Sequence, residues 1–133
     1  MSALFYAVES NAMGITLQRG NETRRDDGHF TVPIEVRIPI GAITLLPRET
    51  YREAKLMVFF AAMDGDGGMS EVQSAEVPFT VPEAEVATAT QQVYVYSLSM
   101  VMRKGPQKLA VGVRDEIGAT QSFTVRTMGV GQQ

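Results

Sequence analysis

His29 is the single histidine of this chain, and no cysteine accompanies it. Cysteine–histidine chemistry is therefore excluded, as is a zinc site built from the usual histidine and cysteine ligands. A Ser-His-Asp arrangement would have to use His29, yet the sequence has no Gly-x-Ser-x-Gly turn, and His29 falls where a loop enters a strand. An exposed loop histidine is the simpler account. The segment Asp64-Gly65-Asp66-Gly67-Gly68-Met69-Ser70-Glu71 is the one stretch that resembles a hard-cation loop, because Asp64, Asp66, Ser70 and Glu71 could offer oxygens to Ca²⁺. An EF-hand would want glycine at its sixth position and glutamate at its twelfth, where Met69 and Ala75 stand. Aspartate and glycine are also what a hairpin turn requires for positive φ and for side-chain-to-backbone hydrogen bonds. The turn is the expected role.

Two further groups merit the same weighing. Glu83 and Glu85 could suggest paired carboxylates for glycoside hydrolysis, but two acidic residues just after Pro82 are more simply a solvated helix start. Tyr94 and Tyr96 share one face of a strand pattern, as a carbohydrate-stacking platform would, although no tryptophan supports them. Packing at the core or its rim is the expected use of both rings. No motif implies a cofactor, and the expectation is a chain that is not an enzyme.

The elements that would position these residues are strands. Phe30, Val32, Ile34, Val36 and Ile38 alternate with Thr31, Pro33, Glu35 and Arg37, a period of two that sends the apolar side chains to one sheet face. Pro33 lacks an N–H donor, so this strand is expected at an edge or with a bulge. Ile40 to Leu46 reads as a short strand bracketed by Pro39 and Pro47. Leu56 to Met63 is apolar on both faces, and the turn-rich Asp64–Gly68 joins it to Val77, Phe79 and Val81 in a hairpin whose returning strand Pro78 and Pro82 push towards an edge. Pro82 to Thr90 suits one helical turn between sheets. Val93 to Met102, Leu109 to Val113 and Phe123 to Val125 resume the alternation, with Asp115-Glu116-Ile117-Gly118 turning the chain. Met57, Met63, Met100 and Met102 are expected to fill the core.

With Ile15-Thr16-Leu17 included, about seven strands at this spacing predict a single antiparallel all-β sandwich of the immunoglobulin-like or fibronectin type III-like kind. Residues 1–28 would form a strand and loop leading into the domain, residues 29–128 the sandwich, and residues 129–133 a polar tail. At 133 residues a domain needs no covalent staple. Fifteen acidic against twelve basic side chains leave a formal charge of −3, which offers no field for nucleic acid. Leu56–Met63 falls far short of the roughly 20 apolar residues that span a bilayer, so membrane insertion by this segment is not expected. The first residues lack a signal-peptide pattern, so any export signal is expected on a longer parent chain.

Gly105 followed by Lys108-Leu109-Ala110-Val111-Gly112-Val113-Arg114-Asp115, then Gly118 and Ser122-Phe123-Thr124-Val125, resembles the C-terminal β-sandwich segment of bacterial von Willebrand factor A-related proteins. Phe59-Phe60-Ala61-Ala62-Met63-Asp64 with Gly67 is similar to that family's earlier strand pair, so the likeness runs from Phe30 to Met128. The family's Asp-x-Ser-x-Ser metal motif belongs to the A-type domain and has no counterpart here, so no ligand residues carry over. The resemblance implies an accessory domain downstream of an adhesion-like one, on an exported, periplasmic or extracellular parent. Function is accordingly expected to be structural or protein-binding. A carbohydrate- or calcium-binding module is the alternative.

Overall fold

The strongest alternation in the sequence becomes the axis of the smaller of two sheets. The computed structural model describes residues 13–68, 70 and 72–131. Among the described residues nine strands run in chain order: β1 (Thr16–Arg19), β2 (Thr23–Arg24), β3 (Phe30–Pro39), β4 (Leu46–Pro47), β5 (Tyr51–Asp64), β6 (Gln73–Pro82), β7 (Val93–Met102), β8 (Gly105–Asp115) and β9 (Thr120–Val130). Seven carry the fold, and β2 and β4 are two-residue pieces. All pairings are antiparallel. In the smaller sheet, β1 and β2 share one side of β3 and β7 takes the other. In the larger sheet the order is β6–β5–β8–β9, with β4 beside the first residues of β5. The result is an antiparallel all-β sandwich.

Val32, Ile34, Val36 and Ile38 of β3 meet Leu56, Val58 and Phe60 of β5 and Leu109, Val111 and Val113 of β8 in the interior, all of them buried. Met100, Met102 and Met128 join this core. Met57 and Met63 do not. They alternate with Leu56, Val58 and Ala62 and so point to the other face of β5, half-buried. That outer face is itself apolar: Ala61 pairs with Ala110 and Phe59 with Gly112. A Cβ on Gly112 would lie 2.8 Å from Phe123 Cε1, so the Phe123 ring occupies the space a side chain there would need.

Two other expectations change. β3 is central, not an edge, and Pro33 is accommodated by a break in its neighbour. Gly20 N–H donates to Pro33 O at 2.9 Å, which turns the nitrogen of Pro33 towards the gap between β1 and β2, where no donor is required. A Cβ at Gly20 would sit 2.8 Å from Pro33 Cγ. The Ile40–Leu46 strand is replaced by a 3₁₀ turn over Ile40–Ala42 and the short β4. Here Gly41 lies so close to the crossover that a Cβ would be 2.7 Å from Thr90 O. By contrast β6, with Pro78 and Pro82, is an edge, as those residues suggest. The single helical turn between sheets is also present, as a 3₁₀ turn over Glu83–Glu85 running into α1 (Val86–Ala89).

The two sheets are tied together along one flank without a shared ladder. Met13 N–H donates to Ser122 Oγ at 2.9 Å, and Arg126 Nη1 donates to Leu17 O at 2.6 Å. Arg19 donates to Gly129 O and pairs with Glu22, whose second oxygen accepts from Gly131 N–H at 2.7 Å. The partners are separated by 109 or 110 residues throughout, so β1 and β9 run side by side in parallel. β9 continues through Val130, which is fully buried, so the sheet reaches into the residues expected as a tail.

Candidate functional site

At one pole of the sandwich the start of β3, the end of β5, the end of β7 and the start of β8 surround a hollow of about 340 Å³. His29, Asp64, Ser70, Arg103 and Gln107 line it, so His29, Asp64 and Ser70, each singled out for chemistry, come together there. Their bonds decide what they can do. Asp64 Oδ1 accepts from the amides of Asp66 (3.0 Å) and Gly68 (2.8 Å), which fixes the turn after β5. Its other oxygen lies 3.7 Å from Arg103 Nη1, an exposed guanidinium. Ser70 Oγ accepts from Ala62 N–H at 2.9 Å, and the same two residues are joined by a backbone bond from Ser70 N to Ala62 O. Gln107 Nε2 donates to Arg103 O at 3.0 Å.

Asp66 is exposed and points its own amide, not its carboxylate, at Asp64. Glu71, the fourth of the suggested cation ligands, lies outside the described residues. Among the described residues no three His, Asp or Glu side chains converge as metal ligands. His29 belongs to a neighbouring turn: its amide donates to Asp27 Oδ1 at 3.0 Å, and its Nδ1 stands 3.4 Å from that oxygen. The His29 backbone N–H is the main reason the Asp27 carboxyl is held below its usual range, with Arg25 and His29 adding their charge against the opposing effect of desolvation. Glu83, exposed, is gripped by Arg52 through Nε and Nη2 at 3.1 Å each, which ties the crossover back to β5.

Tyr94 and Tyr96 point inward from β7 and are half-buried against the core. Tyr94 stacks on Phe79 of β6, with ring centroids 4.4 Å apart and planes 10° from parallel. That contact occupies one face of the ring a sugar would need. It also spans the second flank of the sandwich, where β6 and β7 are the facing edges of the two sheets and a cleft of about 460 Å³ opens beside the α1 crossover.

β7 is the other feature with functional potential. Ile40 N–H donates to Gln92 O at 3.0 Å, one step beyond the Pro39–Val93 pair, so the even-numbered residues of β7 are the ones bonded to β3. Val93, Val95, Ser97, Ser99 and Val101 therefore direct their backbone N–H and C=O groups away from the sheet. Among the described residues no strand pairs with that side. Val93, Val95 and Val101 are 49%, 44% and 54% exposed, three of the four large apolar side chains that stand out into solvent among the described residues. The sequence alternation places these valines on one face, but it gives no sign that they lie on an edge.

Asp115, which the sequence suggests only as a turn former, is a buried charged residue. It is 1% exposed. Its Oδ2 accepts from Thr44 N–H at 2.7 Å, and its Oδ1 accepts from Ile117 (3.1 Å) and Gly118 (3.0 Å). It is a joint between two loops.

No protein-family model matches the sequence. No curated protein matches it either. Among solved structures, the structural-genomics target SoR45 aligns with a TM-score of 0.59 at 15% identity, over 94% of this chain and 91% of that one. A β-glucuronidase of Bacteroides uniformis aligns with a TM-score of 0.55 at 10% identity over 87% of this chain, and β-glucuronidase 2 of the same organism, covalently bound to cyclophellitol-6-carboxylate aziridine, with 0.52 at 9% over the same share. This chain spans 13% of either β-glucuronidase chain. At such identities the likeness establishes the β-sandwich fold alone.

Proposed function

We propose that this chain is a non-catalytic accessory module of a larger, exported bacterial protein, acting as a spacer or a protein-contact domain. The observation that carries the reading is the condition of the polar hollow. Asp64, Ser70 and Gln107 are bonded to the loops that bear them, and His29 gives Asp27 its backbone N–H while its buried Nδ1 has no hydrogen-bond partner, so among the described residues the imidazole has no bonded acid or base beside it in the hollow. A sandwich of the same fold making up a small part of a much longer β-glucuronidase chain supports the accessory role. The resemblance of Lys108–Asp115 and Ser122–Val125 to von Willebrand factor A-related proteins supports an adhesion-like parent, and the immunoglobulin-like placement of the sandwich belongs to the same reading.

The test is ligand-linked stability together with a turnover assay. Melting temperature should not move with millimolar Ca²⁺ or with a panel of glycans, and aryl β-glucuronides should not be hydrolysed. A rise of several degrees with Ca²⁺ that Asp64→Ala abolishes would replace this reading with a calcium-binding module. A glycan-dependent rise abolished by Tyr96→Ala would replace it with a carbohydrate-binding one.

A further inference from the structure

We infer that β7 is a self-pairing edge, through which two copies of this chain join their smaller sheets antiparallel about a two-fold axis at Ser97. An unpaired strand edge is a template for another strand, and proteins normally blunt it with charge or proline. The other edges here are blunted: β1 carries Arg19, β9 carries Arg126, and β6 carries Glu76, Pro78 and Pro82. Val93–Met102 has neither a charged residue nor a proline along its 10 residues. Its outward amides and carbonyls could supply up to about ten backbone hydrogen bonds to a second strand.

The order of residues makes the second strand a copy of the first. A two-fold contact places each residue opposite its mirror position. With Ser97 opposite Ser97, Val95 meets Ser99 and Val93 meets Val101 on the solvent face, while Tyr96 meets Leu98 and Tyr94 meets Met100 on the inner face. Every cross-strand pair is uncharged and no like charges oppose, and the exposed valines at either end of the strand cover each other. The inference takes β7 as the contact surface of a protein-contact module and to that extent rests on the proposed function.

Sedimentation of the whole chain over about 10–500 µM should show a monomer–dimer equilibrium of the weak strength expected from a small interface. Hydrogen exchange at Val93, Val95, Ser97, Ser99 and Val101 should slow as concentration rises. Ser97→Pro removes an outward N–H without touching the β3 ladder, and it should weaken dimerisation at least about tenfold, whereas Ser97→Ala should leave it unchanged. The V93K/V101K variant sets lysine against lysine across the axis and should have the same effect without any backbone change. A chain that stays monomeric to about 500 µM, or a dimer that neither Ser97→Pro nor V93K/V101K weakens, overturns the inference. Either result leaves the accessory-module reading intact, because that reading fails only through ligand-linked melting or turnover.

Discussion

The two long flanks of the sandwich close by different means. Along β1 and β9, one buried side chain and several more exposed ones reach across to backbone groups, and the sheets are joined by hydrogen bonds that need no ladder. Along β6 and β7 the joint is one stacked ring pair beside an open cleft. A flank closed by directed polar bonds fixes the position of the terminal strands. A flank closed by apolar contact leaves the edge of β7 accessible. The same fold thus holds a sealed side and a side with unspent backbone bonding, and function is expected on the second.

The largest effect that sharpens this contrast should come from the open flank. Phe79→Ala removes the half-buried ring under Tyr94 and should cost about 2–3 kcal/mol in urea unfolding, less than a fully buried phenylalanine because the site is part solvated. On the sealed flank, Ser122→Ala leaves the Met13 N–H without its acceptor in a buried position. It should cost about 1–2 kcal/mol by the same measurement. A double-mutant cycle of Phe79→Leu and Tyr94→Leu should return a coupling of about 0.5–1.5 kcal/mol, and a value near zero would mean that the rings are neighbours without being the joint. Arg126→Ala should change stability by less than about 0.5 kcal/mol, since the residue is exposed and water can replace its bond to Leu17 O. If that change matched Ser122→Ala, the sealed flank would depend on its surface bonds as much as on its buried one.

The smallest effect concerns neither flank and serves as their control. Asp27 has a lowered carboxyl pKa in the folded chain, so its contribution is complete above its ordinary value and is lost as pH falls through the folded one. Asp27→Asn should therefore flatten the acid side of the stability profile, below about pH 4, and leave the difference between the two flanks unchanged.

How much of this is legible in the sequence follows from the range of each interaction. β3 is plain because its signal is local, a period of two from Phe30 to Ile38 with one face apolar. The edge position of β6 follows from Pro78 and Pro82, which cannot donate to a second neighbour. Pro33 carries the same signal and lies in a central strand, because the neighbouring strand is broken at Gly20, a compensation that only the pairing reveals. The sequence of β5 does not distinguish an inner from an outer face, since both are apolar, and the expectation for Met57 and Met63 falls on the wrong one for that reason. The β1–β9 bonds and the Asp115–Thr44 bond link residues 109 or 110 and 71 positions apart, beyond the reach of any local pattern. For the candidate site, turn chemistry at Asp64 is readable from its glycines. The meeting of His29, Ser70, Arg103 and Gln107 around it is not.

The parallel course of β1 and β9 has a mechanical consequence. Met13 enters beside Ser122 and Gly131 leaves beside Glu22, so the two ends of the described chain lie at opposite poles of the same flank. Tension applied at those ends would slide the two strands past each other, loading the latches at Ser122, Leu17, Gly129 and Glu22 together instead of peeling them one by one. A sandwich strung within a longer protein would then resist pulling through the flank that is sealed, while the edge of β7, on the opposite side, stays out of the line of force.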